Sequence, residues 1–449
     1  MKVAFHTLGC KVNQYESEAI ARDFEAGGCE IVGERDFADV YIINTCTVTA
    51  VADKKSRQYI RRMKKINPDS VIVVTGCYAQ IKPDEVAAVE GVDIVAGTNE
   101  KSHITEYVSE YIKDRVRQVH IKGYEELDVY DDTGMVTSTE NRTRAYIKIQ
   151  EGCNRFCSYC VIPYARGRVR SRAFDDIVKE ARSLISAGFK EIVLTGINTA
   201  LYGMEDGIKH TDDELYGVEK VIAAIDRIEG DFRIRLSSLE PAVVNAGYVK
   251  RLMKYSKLCH HLHLSAQSGS SIVLRAMNRP YDRQQYLDIV KVLKEFDSYY
   301  GISTDIIVGF PGEKEADFND SCSLVSECGF CRTHIFKFSK RPFTKAAEMK
   351  GHVAPEVKNR RSDTLHQIGR TAAEEFFTKN IGRCETVLAE EIYQEKKLLT
   401  GYTGNYIKVY ISLDDTEEGK KLLNQFIKVR LTGICEDGMT AEITDGTIL

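Results

Sequence analysis

Cys153, Cys157 and Cys160 lie in one short run, Glu151-Gly152-Cys153-Asn154-Arg155-Phe156-Cys157-Ser158-Tyr159-Cys160. Three thiolates hold three irons of a 4Fe-4S cubane, a centre that normally takes four cysteines; no fourth lies nearby, so one iron is left open for a ligand. An open iron implies chemistry rather than storage. With 13 cysteines in 449 residues, this spacing arises from composition alone in roughly one such chain in a hundred. The competing reading is a structural zinc loop, which asks for four ligands and usually for paired C-x2-C half-sites that this segment lacks.

A second set of thiols emerges from the pattern of elements. From residue 1 to about 117, short apolar runs alternate with helical stretches, as in a doubly wound α/β sheet. Strands are expected at 3–8, 40–44, 71–75 and 92–96. The first three run into cysteines, as Leu8-Gly9-Cys10, Asn44-Thr45-Cys46 and Thr75-Gly76-Cys77. Ligands of open parallel sheets bind at the carboxyl ends of strands about 5 Å apart, so Cys10, Cys46 and Cys77 should converge on one edge. Singly, a cysteine at a strand end is more often a small buried residue; three at equivalent positions favour a cluster.

The remaining chain supplies the scaffold. Hydrophobic content of 43% with 29% charged residues is ordinary for a globular chain of several domains. No apolar run has the length of a membrane span, and the amino terminus enters a strand-like run without a secretory signal, so a cytoplasmic protein with no membrane contact is expected. In that reducing compartment, the cysteines point to metal ligation and buried thiols rather than disulfides. Residues 1–120 form the first expected domain, and the polar, acidic stretch 121–143 reads as a linker. Between 144 and 380, strand-like runs at 145–150, 191–195, 233–238, 261–266, 304–308 and 333–338 alternate with helical periodicity, which gives a (β/α)6 partial TIM barrel. Its active face should be the carboxyl ends of the strands, where the first cysteine loop lies. A long helix from about 355 to 379 should lead into a small β-barrel at 381–449.

The two cysteine sets, with aromatic Tyr159 before Cys160 and the terminal β domain, resemble the methylthiotransferases of the radical S-adenosylmethionine (SAM) superfamily over almost the whole chain. The resemblance implies an amino-terminal methylthiotransferase domain, a radical SAM barrel and a TRAM domain, with two 4Fe-4S clusters and SAM as cofactors. Leu8-Gly9-Cys10-Lys11-Val12-Asn13 is similar to the branch that acts on threonylcarbamoyladenosine in tRNA. The alternatives are isopentenyladenosine in tRNA or a ribosomal protein as substrate, and, from another class, an iron–sulfur electron carrier without SAM chemistry. A carrier needs no cofactor pocket at strand ends.

By the same resemblance, Gly196 and Asn198 in Thr195-Gly196-Ile197-Asn198 hold the SAM amino group, and Glu240, with Ser238 in the same motif, binds the ribose hydroxyls. Tyr159 and Gln267, the latter in Gln267-Ser268-Gly269, also lie near the cofactor, as does Gly309-Phe310-Pro311-Gly312. Each would otherwise be an ordinary strand-end turn. The C2-H of adenine is too weakly acidic for a side-chain base. The resemblance therefore assigns to the Cys153 cluster the generation of a 5′-deoxyadenosyl radical from SAM, and to the Cys10 cluster delivery of a methylated sulfur, with a second SAM as methyl source. The electron comes from a donor such as flavodoxin or ferredoxin. No general acid or base is assigned.

Partner contacts follow from charge. Lys54, Lys55, Arg57, Arg61, Arg62, Lys64 and Lys65 cluster on one expected helix, and Arg166, Arg168, Arg170 and Arg172 alternate beyond the first cysteine loop. Beside the resemblance they suit the anticodon stem-loop of tRNA. Lys11, Asn13, Arg166 and Arg168 are candidate substrate contacts; Lys11 or a nearby Arg would pair with the threonylcarbamoyl carboxylate. Residues 380–449 hold 8 Lys and Arg against 12 Asp and Glu, so any RNA grip there must be local or shape-based. Cys328-Gly329-Phe330-Cys331 is a C-x2-C pair, but it should fall on the barrel end away from the chemistry and read as core.

Overall fold

A computed structural model of the chain describes residues 1–48, 50–135, 143–205 and 215–448. Its first sheet contains β1 (Lys2–Thr7), β2 (Glu30–Val32), β3 (Val40–Thr45), β4 (Val71–Gly76), β5 (Ile94–Ala96) and β6 (Gln118–His120). All pair in parallel, in the order β2-β1-β3-β4-β5-β6. β3 and β4 are buried along their whole length, because helices cover both faces; central parallel strands therefore read as unbroken Val/Ile runs. Helix α1 (Lys11–Ala26) packs one face through Ile20 and Phe24. Helix α2 (Ala50–Ile66) packs the other through Ile60 and Met63. The winding reverses between β1 and β3, the kind of crevice where such sheets bind ligands. β2 and β6 are three-residue edge strands, too short for the alternation that reveals the others.

The second unit comprises β7 (Arg144–Glu151), β8 (Arg170–Ser171), β9 (Glu191–Gly196), β10 (Arg233–Leu236), β11 (His261–His263), β12 (Gly301–Val308) and β13 (Arg332–Lys337). Six strands form two parallel arcs, β7-β9-β10 and β11-β12-β13, stitched by single bridges Ile234↔Leu258 and Leu239↔Leu264. The two-residue β8 adds antiparallel to the edge of β7. Side-chain parity decides what faces inward. Ala145, Ile147 and Ile149 pack outward on Ile177, Ala181 and Leu184, which turns Tyr146, Lys148 and Gln150 to the inside. The same parity turns Arg233, Arg235, His261, His263, Ser303 and Asp305 inward. The lumen is thus a polar chamber, and the apolar core lies between strands and helices.

Helix Pro355–Asn380 leads to five strands, β14 (Cys384–Tyr393), β15 (Leu398–Thr403), β16 (Lys408–Ser412), β17 (Phe426–Cys435) and β18 (Gly438–Ile448), closed in the order β14-β15-β16-β18-β17. Val387, Leu399, Val409, Ile427 and Leu431 fill its interior. This barrel caps the lower end of the chamber. Glu191 accepts from Arg233 Nε at 2.5 Å and Arg235 Nε at 2.8 Å, Arg144 reaches Glu390 at 2.6 Å, and the Tyr406 ring stacks on His261 at 4.5 Å.

Residues 121–135 do not behave as a free tether. Leu127 is fully buried, Tyr130 donates to the Lys148 carbonyl at 3.1 Å, and Arg22 donates to the Thr133 carbonyl at 2.7 Å. Polar composition suggested a linker because the few apolar side chains that dock it are widely spaced. Residues 136–142 of that stretch lie outside the described residues. Among those described, no helix is long and apolar enough to cross a membrane.

Candidate active site at the domain junction

The loops after β1, β3 and β4 meet as strand order requires. Gly9 has φ +107°, and a Cβ there would sit 2.8 Å from Cys46 Cβ, so only glycine lets the two loops approach this closely. Asn13 Nδ2 donates to the Leu8 carbonyl at 2.7 Å and to the Thr45 carbonyl at 3.1 Å, while Thr45 Oγ1 donates to the Thr75 carbonyl at 2.5 Å. These bonds staple the three cysteine-bearing turns together. Burial, and then the neighbouring Cys77 thiol, push the Cys46 thiol up to about 12. Cys10 is exposed to the solvent of the crevice but ringed by protein, which raises its thiol too.

The second set sits just beyond β7. Gly152, at φ +73°, packs against the backbone of Arg168 where no side chain fits. The loop backbone is fully engaged around the thiols: Cys153 N donates to the Gly167 carbonyl at 3.0 Å, Ser158 N to the Met277 carbonyl at 3.0 Å, and Asn278 Nδ2 to the Phe156 carbonyl at 3.1 Å. Burial pushes Cys153 up to about 11 and Cys160 to about 12, with the neighbouring cysteines adding to the rise. Among the described residues no three His, Cys, Asp or Glu side chains are close enough to share one metal ion. Three thiols in each set would leave one iron of a cubane without a protein ligand, a donor set that fits a cluster able to bind a further group.

Next to this loop the strand ends form a hydrogen-bonded arc. Glu240 accepts from Asn198 Nδ2 at 2.8 Å, Arg155 Nε at 2.8 Å and Arg279 Nη1 at 3.1 Å, and Arg279 Nη2 donates to the Tyr159 hydroxyl at 2.9 Å. Asn198 Oδ1 is buried without a partner among the described residues, an acceptor left for a cationic or hydroxyl donor such as SAM carries. Gly196 is a close approach to Gln150 rather than to open space, and Ser238 is exposed beside the arc. Gln267, held at φ +65°, lines a cavity of about 240 Å³ together with Tyr159, Cys160, Asp305, Arg341 and Val48. Val48 follows Cys46 by two residues, so the cavity is lined by Cys160 of one set and by the loop that carries Cys46 of the other. Arg341 locks the junction, donating to Thr47 Oγ1 at 2.5 Å and Asp53 Oδ2 at 2.8 Å.

Two expected substrate contacts take other roles. Arg166 is fully buried: Nε lies 3.3 Å from Cys77 Sγ, Nη1 donates to Glu16 Oε1 at 2.6 Å and Glu151 Oε1 at 3.1 Å, and Nη2 donates to Asn13 Oδ1 at 2.5 Å. Asn13, also buried, is the staple described above. Neither can touch RNA. Arg170 and Arg172 are likewise buried, Arg172 on Glu180. Arg168 is exposed beside Tyr124. On α2, Lys54, Lys55, Arg61, Arg62 and Lys65 face solvent, whereas Arg57 binds Glu85 and Lys64 binds Asp93.

Lys11 turns toward the lumen, amid Tyr406, Arg235, Arg144 and Glu191; burial draws its pKa below the usual lysine range. Residues that sequence reading missed include Arg155, Arg279 and the lumenal chain His261–Ser303–His263–Asp305, joined at 3.0, 2.9 and 3.0 Å. The alternation of His261, His263 and Ser265 along an expected strand was their signal. Cys328 and Cys331 are buried in apolar surroundings with thiols pushed up to about 12, in keeping with core.

Comparison with known proteins agrees with this architecture. Residues 2–97 match the model of the uncharacterized protein family UPF0004, and residues 147–325 that of the radical SAM superfamily. The chain is 42% identical to the threonylcarbamoyladenosine tRNA methylthiotransferase MtaB of Bacillus subtilis, covering 96% of this chain and 93% of that protein. It is 38% identical to the Aquifex aeolicus MtaB, covering 96% and 100%. A tRNA-2-methylthio-N(6)-dimethylallyladenosine synthase of Clostridium botulinum is 34% identical, covering 97% and 95%. Among solved structures, the radical SAM methyltransferase TsrM of Kitasatospora setae shares the fold, with TM-score 0.58, 16% identity and 77% of each chain covered. The chain therefore belongs to the family of MtaB-type threonylcarbamoyladenosine tRNA methylthiotransferases within the radical SAM superfamily.

Proposed function

We propose that the protein converts N6-threonylcarbamoyladenosine beside the tRNA anticodon to its 2-methylthio derivative. The observation that carries this reading is a cavity lined both by Tyr159 and Cys160 of the radical loop and by Val48 of the loop that carries Cys46, a space where a bound nucleoside would lie between the two domains. When bound, two 4Fe-4S clusters and SAM supply one-electron reduction, hydrogen abstraction from an unactivated carbon and sulfur delivery. Cys153, Cys157 and Cys160 hold one cluster, and Cys10, Cys46 and Cys77 the other. Asn198 Oδ1 would be the acceptor for the SAM ammonium, and Glu240 Oε1 would have lone-pair capacity for a ribose hydroxyl. Arg155 and Arg279 hold that carboxylate in place. The enzyme works in the cytosol with a small one-electron donor of the flavodoxin or ferredoxin kind.

Lys11 sets the substrate preference. It is the residue next to Cys10, and its half-buried ammonium makes no ion pair or hydrogen bond to any described residue. An ammonium drawn out of water, with Tyr406 and Glu191 as well as Arg235 and Arg144 around it, gains from an incoming anion. The threonylcarbamoyl group brings a carboxylate about 7 Å from the reacting carbon, at about 1.4 Å per bond along a bent chain; an isopentenyl group brings none. The test offers reduced enzyme and its Lys11→Met variant tRNAs bearing either modification and scores methylthiolation by mass spectrometry. Turnover of the threonylcarbamoyl tRNA, with KM raised tenfold or more in the variant, is expected, about the loss of one charge-assisted bond. Turnover of the isopentenyl tRNA alone would overturn the reading.

A further inference from the structure

A group of exposed aromatic rings surrounds the Cys153 loop without a part in the chemistry above. Phe156, Tyr164 and Phe343 are 40%, 37% and 65% exposed. Phe156 and Tyr164 lie 5.8 Å apart between ring centroids, Tyr164 and Phe343 6.0 Å, and Tyr124 lies 6.3 Å from Phe156 and 6.4 Å from Tyr164. The four rings come from three separate stretches of the chain, with Phe156 and Tyr164 eight residues apart and Tyr124 and Phe343 far from both, so no local pattern accounts for their meeting.

Two of them sit on strained backbone. Phe156 has φ +45° and Phe343 φ +63°, a region where a bulky residue is a genuine outlier. Such strain persists where the surroundings enforce it and gathers at functional sites. Here it presents large apolar rings to water, so neither the strain nor the exposure is offset by core packing.

Position and charge indicate what the rings meet. Tyr164 stands two residues after Ile162 and Phe343 two after Arg341, both of which line the cavity; Phe156 stands between two cysteines of the loop. These three rings therefore belong to the same loops and short helix that supply the cavity's lining, although none of them lines the cavity itself. Cations accompany them: the Arg168 guanidinium lies 5.7 Å from the Tyr124 ring centroid, and Lys340 and Lys345 are exposed within three residues of Phe343 in the chain. Aromatic faces interleaved with basic side chains suit single-stranded nucleic acid, because every base has a π face and every linkage a negative charge. A nucleoside that enters the cavity must leave the stack of its loop, and its neighbours then need a substitute stack.

We propose that Tyr124, Phe156, Tyr164 and Phe343 form a stacking platform for the unpaired RNA bases that flank the target nucleotide. The proposal rests on tRNA being the substrate and adds which surface reads the loop. It differs from the basic face of α2, which would contact phosphates and hence govern salt dependence.

The test measures binding of an anticodon stem-loop RNA to the full-length reconstituted protein across a salt series. Phe343→Leu keeps an apolar side chain on the same strained backbone and removes only the π face. It should weaken binding by roughly 5- to 150-fold, the range found for single base–aromatic stacks, with an unchanged slope of log K against log salt. Phe343→Trp should restore affinity. Lys54→Gln with Lys55→Gln should instead flatten the slope. Iron content and RNA-independent SAM cleavage of Phe343→Leu should equal those of the wild type. Wild-type affinity in Phe343→Leu overturns the platform, and so does lost iron in that variant or failure of Trp to restore binding. If the unaltered protein binds no stem-loop, the tRNA reading falls together with the platform.

Discussion

Arg166→Gln tests whether one buried arginine ties the auxiliary cysteine site to the radical barrel. The guanidinium is fully enclosed and serves Cys77, Asn13, Glu16 and Glu151. Glu16 and Glu151 also face Lys101 and Lys148, with Lys148 at 2.9 Å from Glu16 and 2.6 Å from Glu151. Three cations thus meet two carboxylates, and the excess positive charge lies against Cys77, where a thiolate would complement it. Removing one member of such a buried network costs about 3–5 kcal/mol. At an m-value of about 2.5 kcal/mol/M, the urea midpoint falls by roughly 1–2 M. The cost should depend on pH in a defined sense. Burial raises the Glu16 pKa, but Arg166, Lys101 and Lys148 outweigh it and hold it well below the usual carboxylate value. A folded-state pKa lowered in this way gives stability that is complete above the unfolded value of about 4.3 and is lost as pH falls below it. The gap between wild type and variant should therefore be full at neutral pH and shrink in acid. Urea unfolding at both pH values, followed by iron analysis at neutral pH, makes the measurement. The variant should lose auxiliary iron first and retain the iron of the Cys153 loop. An unchanged urea midpoint at neutral pH would refute the assignment of Arg166 as the keystone of this interface.

Two further outcomes follow from the same geometry. Cys46→Ala should halve the roughly eight irons expected of two cubanes while the reduced enzyme still cleaves SAM to 5′-deoxyadenosine and forms no methylthio product; loss of SAM cleavage with an intact radical centre by spectroscopy would contradict the division of labour. Gly76→Ala forces a side chain at φ +94° into the Thr45 backbone beside Cys46, so it should destabilise the first sheet by at least about 2 kcal/mol and lower auxiliary iron, and a variant with normal thermal stability would show that the turn relaxes freely.

Much of the site was legible because its signals are local or periodic. The Cys153 loop announces itself by spacing alone. Cys10, Cys46 and Cys77 were found without any local motif, since β1, β3 and β4 are apolar runs that each end in a cysteine and parallel strands must align their carboxyl ends. Gly9 and Gly76 belong to the same logic, because both turns need a backbone that only glycine adopts easily. The inward parity of Arg233, Arg235, His261 and His263 was also present in the alternation of their strands, although it reads as a polar lumen only once the outward Ile and Leu are known to meet helices.

What the sequence determined by itself was therefore which thiols the fold gathers and the order of layers, both written in spacing and period. Tertiary structure alone decided which charges are exposed. Arg166, Arg168, Arg170 and Arg172 look equivalent in the chain, yet only Arg168 reaches solvent: Glu16 arrives from α1 to enclose Arg166, Glu180 of the following helix takes Arg172, and Arg170 is buried against the Arg166 carbonyl. The same holds for Lys11, which resembles a surface lysine until Tyr406 of the C-terminal barrel and Arg235 of the lumen are folded around it. A charged side chain carries no local mark of its partner, which stands three residues away for Lys148 and Glu151 and 246 away for Arg144 and Glu390; burial, which multiplies the strength of every charge it encloses, is a property of the assembled fold.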